Sequence, residues 1–83
     1  MDDKNNDFSG FRKRLKHLRE EYLESTQKMV SLSIEISTSY YSAIETGRKM
    51  PNFHFLKQMS NVYGISLNYL LLGQGRPFMG NHP

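Results

Sequence analysis

One run in the chain alternates polar and apolar residues with period two, Ser31-Leu32-Ser33-Ile34-Glu35-Ile36-Ser37, and by pattern alone it argues for an amphipathic strand. Nothing else in the chain can pair with it, and an isolated strand is not stable in water. A strand here would need a partner from a second copy. The helical alternative puts Val30 and Ile34 on one face at i, i+4 and makes Ile36 the buried residue of a turn. That choice commits the whole chain to helices.

Cap signals bracket the run. Thr26 can cap a helix opening at Gln27, and Ser37 can cap another in which Tyr41 and Ile44 face the core at i, i+3. Gly47 then offers a left-handed exit, followed by Arg48 and Lys49. The stretch from Thr26 to Pro51 thus reads as two short helices joined by a tight turn, with the second offered outward. Nine residues between Ser25 and Thr46 are Ser or Thr, and such side chains compete for the backbone, so tertiary packing must hold this segment. What it gains is a free face of short polar groups: Thr38, Ser39, Ser42 and the phenol of Tyr40.

The flanks read as support. Residues 1–8 form a polar arm expected to be disordered. A first helix follows from Ser9, its N-cap, to Tyr22, with Phe11, Leu15, Leu18 and Tyr22 on one face. Beyond Pro51, Asn52 can cap a fourth helix that buries Phe53, Leu56 and Met59, with Val62 and Tyr63 continuing the face, and ends at Gly64. Ser66 opens a short fifth helix carrying Leu67, Leu70 and Leu71 before Gly73. Residues 74–83 read as a C-terminal tail or linker. The expected fold is all-α, one five-helix domain over residues 9–73.

Composition narrows the function. Eighty-three residues suffice for one domain that buries only roughly 60% of its unfolded surface. There is no cysteine, the longest apolar run is Tyr69 to Leu72, and the acidic N-terminus lacks an apolar core, so a cytoplasmic protein without membrane association is expected. His17, His54 and His82 are dispersed, and the serines lack His and carboxylate partners, so no metal, cofactor, small-molecule ligand or enzymatic role is expected. Eleven basic residues against eight acidic ones give a net charge of +3, with the basic groups gathered at Arg12, Lys13, Arg14, Lys16 and Arg19 and again at Arg48 and Lys49. A polyphosphate partner would suit such clusters, and so would plain solvation.

Several of these pieces occur together in a known order. Phe11 to Gly73 resembles the DNA-binding domain of phage repressors and Cro proteins and of the bacterial regulators sharing their five-helix fold. The matching features are RLKHLREE in the first helix, Gln27 opening the second, the turn Ile34-Glu35-Ile36-Ser37, Ile44-Glu45-Thr46-Gly47 closing the third, Pro51 before the fourth, and YGISLNYLLLG at the end. The resemblance implies that helices two and three form a helix-turn-helix and that the third lies in the major groove. By position it implies Thr38, Ser39, Tyr40 and Ser42 on base edges, Gln27 on a phosphate or outer base, and Arg48, Lys49 and Asn52 on the sugar-phosphate backbone. Tyr40 has a second reading, as a half-buried packing residue.

The function implied is a sequence-specific regulator of transcription, a repressor, binding double-stranded DNA as a homodimer on an inverted repeat. Leu71, Leu72 and Phe78 are candidates for its two-fold contact. The competing reading keeps the scaffold but binds a partner protein, centred on the adjacent Tyr40 and Tyr41. The resemblance also implies an ion pair between Arg19 and Glu45. Three departures stand out: Glu35 at a turn position where relatives have glycine, a connection before Gln27 one residue longer than usual, and Ser31 where a small alanine is common. The ending leaves two readings open, a regulator complete in one domain or the N-terminal part of something longer.

Overall fold

The computed structural model describes residues 3–80, with side chains from residue 8 onward. Five helices follow one another: α1 (Asp3–His17), α2 (Gln27–Ser33), α3 (Thr38–Glu45), α4 (Phe53–Tyr63) and α5 (Leu67–Leu72). A π-turn over Leu18–Tyr22 extends α1 without a break. Among the described residues there is no strand, only an isolated antiparallel bridge between Ile65 and Phe78.

Local chemistry sets most of the boundaries. The side chains of Thr26, Ser37, Asn52 and Ser66 accept hydrogen bonds from the amides of Met29, Tyr40, Phe55 and Tyr69, which closes the first turn of α2, α3, α4 and α5. Gly64 and Gly73 end α4 and α5 in the left-handed region. The period-two run is helical up to Ser33 and then turns, as the lack of a strand partner requires.

The core is a single cluster in which Phe11, Leu15, Leu18, Val30, Ile34, Tyr41, Ile44, Phe55, Met59, Ile65 and Leu70 are buried. Tyr41 and Phe11 both meet the ring of Phe55, at centroid distances of 6.0 and 6.5 Å. α1 packs along α5 and across α3, and α2 packs on α3, so the helix pair at the centre of the sequence rests on α1.

Four expectations need correction. α1 begins at Asp3, not at Ser9, so the arm expected to be irregular over 1–8 is helical through its described part; Met1 and Asp2 lie outside the described residues. Acidic residues at positions 3 and 7 suit a helix N-terminus, and Phe8 adds a stack on Phe11 at 5.9 Å that draws this turn onto the core. Tyr22 is 51% exposed instead of buried, because the π-turn carries it off the stripe that 3.6 residues per turn would maintain. On α4 the buried residues are Phe55 and Met59, while Phe53 is 78% exposed and Val62 is also exposed.

The fourth concerns the tail. Through residue 80 it folds back on the domain: the Ser66 amide donates to the Pro77 carbonyl at 2.7 Å and the Met79 amide to Gly64 at 2.8 Å. Phe78 lies against the Tyr22 ring, with centroids 5.5 Å apart, and joins the core's edge, which withdraws it from any contact between subunits. The last three residues, His82 among them, lie outside the described residues.

Candidate nucleic-acid interface

The turn between α2 and α3 is closed by amide hydrogen bonds from Glu35 to Leu32 and from Ile36 to Ser31, at 3.2 and 3.0 Å. Glu35 has φ +62°, so a side chain sits where glycine is the unstrained residue. A second tie joins the helices. Ser31 is fully buried, donates to the Lys28 carbonyl at 2.9 Å and lies 2.9 Å from the Thr38 hydroxyl. With Ser31's one proton on Lys28, Thr38 is the donor to Ser31.

α3 divides sharply into two faces. Tyr41, Ala43, Ile44 and Glu45 are buried, whereas Thr38 and Ser39 are exposed and Ser42 is half-buried. Among the described residues, Ser39 and Ser42 have no side-chain hydrogen-bond partner, so their hydroxyls are free. The Tyr40 hydroxyl is not: it donates to the Met50 carbonyl and accepts from the Asn52 amide, each at 3.1 Å. Arg48, Lys49 and Asn52 follow on the exposed loop, with Arg48 Nε on the Thr46 hydroxyl at 3.3 Å and Asn52 Oδ1 on its capping bond. The chain turns into this loop at Gly47, whose φ of +88° an L residue rarely adopts.

Beneath that surface lies a saturated carboxylate. Glu45 Oε2 receives Arg19 Nε and the Tyr41 hydroxyl, both at 3.0 Å. Its Oε1 receives Arg19 Nη2 at 3.0 Å and Gln27 Nε2 at 2.6 Å. Burial acts to raise the Glu45 carboxyl, but the hydrogen bonds from Arg19, Gln27 and Tyr41 outweigh it and hold the group below its ordinary range. The bond to Glu45 raises the Arg19 guanidinium against the opposing effect of burial, and burial followed by the neighbouring carboxylate pushes the Tyr41 phenol well up. All three groups therefore keep their charge states across neutral pH.

The expected contact residues thus separate. Ser39, Ser42, Arg48, Lys49 and the amide nitrogen of Asn52 are presented outward. Thr38 is exposed but its hydroxyl serves Ser31. Gln27 Nε2 serves Glu45, and Tyr40 serves the loop. The tyrosine-centred patch on which the protein-binding alternative leaned is absent, since Tyr41 is fully buried and Tyr40 half-buried.

Three arginines of the first helix have structural duties that charge patterning did not reveal. Arg14 donates to the carbonyls of Leu70 and Leu71, both at 3.0 Å, and so closes the C-terminus of α5. Arg12 reaches the Thr46 carbonyl at the end of α3, 3.4 Å away, and lies over the Phe8 ring at 5.5 Å. Arg19 holds Glu45 and, through Nη1, the Ser25 carbonyl at 2.9 Å. Lys13 and Lys16 remain exposed. The helical spacing of Arg12, Arg19 and Phe8 along the core stripe was the available signal, because a cation beside that stripe lies next to neighbouring helix ends.

No helix among the described residues is long and apolar enough to cross a membrane, and among them no group of His, Asp and Glu could hold a metal ion. Residues 13–76 match the family described as "Helix-turn-helix domain". The chain is also similar to "Control protein C.MunI" of Mycoplasma sp, at 33% identity over 60 residues that span 72% of this chain and 81% of that protein. No solved structure matches.

Proposed function

Because the chain belongs to the helix-turn-helix domain family, a family of DNA-binding transcriptional regulators, we propose that it is a repressor that reads the major groove of double-stranded DNA with α3, as a homodimer on an inverted repeat. The observation that carries this reading is the division of α3. Its inner face is wholly engaged by the core and Glu45, while the free hydroxyls of Ser39 and Ser42 run into the exposed Arg48, Lys49 and Asn52. Short hydroxyls suit base edges, and the cations that follow suit phosphate. No guanidinium stands on the outer face of α3, so phosphate contacts and DNA shape carry a large share of the specificity. Arg48 and Lys49 bind the backbone, and Asn52 joins them through its free amide nitrogen. Thr38 contributes its methyl group to a base.

The two-fold contact falls to α5, where Leu72 is 61% exposed beside the half-buried Leu71. Such a dimer matches half-sites about one DNA turn apart. Occupancy of that site then blocks transcription. The test is selection of binding sites from random duplex DNA at two salt concentrations, with Ser39→Ala/Ser42→Ala as control. An inverted repeat that the control fails to enrich, bound more weakly as salt rises, is the expected result. Absence of any enriched motif overturns the reading and leaves a protein partner as the alternative.

A further inference from the structure

Resting on that reading, we propose that Tyr40 is a positioning residue for DNA binding and not a base reader: its hydroxyl clamps α3 to the loop that presents Lys49 and Asn52 to phosphate. The geometry is specific. Tyr40 Oη donates to the Met50 carbonyl and accepts the Asn52 amide, at 3.1 Å each, which spans Pro51 from both sides. The hydroxyl's one proton and one lone pair are thereby used, and the ring is half-buried against the core.

The clamp replaces a contact the local sequence cannot make. At a helix N-terminus the amide of the cap residue is commonly taken by a Glu or Gln side chain three residues on. Here the cap is Asn52 and the residue three on is Phe55, which is buried and has no acceptor. Tyr40 supplies the acceptor from α3 instead. The first half of the loop has its own anchor, since the amides of Arg48 and Lys49 both donate to the Ala43 carbonyl at 2.8 and 3.1 Å. Met50 to Asn52 depends on Tyr40. Without the hydroxyl, the cationic loop keeps its charges but loses the distance between them and α3. A loss of that kind weakens phosphate contact for every sequence alike, because phosphates carry no sequence information.

The experiment compares the full chain with Tyr40→Phe, which keeps the ring. In the free protein, amide hydrogen exchange at Asn52 should accelerate while the amides of Tyr41 and Ile44 stay protected. In binding titrations over a range of salt, affinity for the selected duplex and for a scrambled one should fall together, by about three- to tenfold, as expected for loss of a hydrogen bond. The salt dependence should become shallower by roughly one phosphate contact, and the preferred sequence should not change. Relaxed preference at one base position with an unchanged salt slope would make Tyr40 a base reader and overturn the proposal. Unchanged exchange and binding would overturn it too. Failure of the unsubstituted protein to bind any duplex defeats the DNA reading itself, and is distinct from a wild type that binds and a Tyr40→Phe variant that matches it.

Discussion

Arg19 and Glu45 face each other between the end of the first helix and α3 as a two-point pair, Nε to Oε2 and Nη2 to Oε1, both at 3.0 Å. The resemblance to phage repressors implied this pair; the further donors Gln27 and Tyr41 it did not. With two donors on each oxygen, the carboxylate has exchanged its water for fixed partners, which is the condition under which a buried charge is tolerated. The pair sets the height and tilt of α3 on α1.

Removing the carboxylate should therefore act on stability. Glu45→Ala leaves the Arg19 guanidinium facing the core and three donors unmet, at a cost of about 3 to 5 kcal/mol. Denaturant unfolding of the two proteins measures the loss. Sequence preference in whatever fraction stays folded should be little changed, and an unaltered unfolding midpoint would refute this account.

Acid should expose the same site. The folded Glu45 carboxyl lies below its ordinary value of 4.5, so around and below that pH the unfolded chain takes up a proton that the folded chain does not. The stabilisation from this group is complete above pH about 4.5 and is lost as pH falls through the depressed value. Urea midpoints measured from pH 6 down to pH 3 should fall more steeply for the wild type than for Glu45→Gln, in which this titration is absent. Parallel curves would mean that other carboxylates account for the acid sensitivity.

The turn between α2 and α3 offers a stabilising change. Glu35 is exposed at φ +62°, a conformation that costs an L residue about 1 to 2 kcal/mol, against about 0.5 to 1 kcal/mol for the greater freedom of glycine when unfolded. Glu35→Gly should gain roughly 0.5 to 1 kcal/mol, a rise of a few degrees in melting temperature for a domain of this size. A lower melting temperature would show that the Glu35 side chain makes a compensating contact.

How much of this was legible depended on the range of the interaction. Caps at Thr26, Ser37, Asn52 and Ser66 and the left-handed exits at Gly64 and Gly73 were readable, because a cap and its partner lie within one turn. The α4 face was misread because Phe53, Phe55, Leu56 and Met59 permit two stripes, and only Tyr41 and Phe11 on other helices select Phe55. The residue that makes the connection before Gln27 one longer than usual is absorbed as the π-turn, where the Leu23 amide reaches the Leu18 carbonyl at 2.9 Å. Ser31 was noted as a departure, yet its hydroxyl bond to Thr38 was not foreseen. Gln27, Tyr40, Arg12 and Arg14 were assigned by chain position or charge, whereas their partners are 10 to 57 residues away.

Those distant partners separate the basic residues into two kinds, and the difference can be measured. Arg14 is spent on the carbonyls of Leu70 and Leu71, so Arg14→Ala should open the C-terminal end of α5 and cost about 1 to 3 kcal/mol of stability. Its effect on DNA affinity at temperatures well below unfolding should be small, and the salt dependence of binding should be unchanged. Lys49 is exposed and has no side-chain partner among the described residues, so Lys49→Ala should leave the melting temperature within error. On the proposed DNA contact it should instead weaken binding to all sequences and reduce the salt slope by about one. Thermal melts and salt-dependent titrations of the two variants give four readings. The crossed pattern, stability lost only with Arg14 and salt slope only with Lys49, is the expected result. A reduced salt slope for Arg14→Ala would mean that the first helix also meets phosphate, and an unchanged one for Lys49→Ala would remove the loop after α3 from the interface.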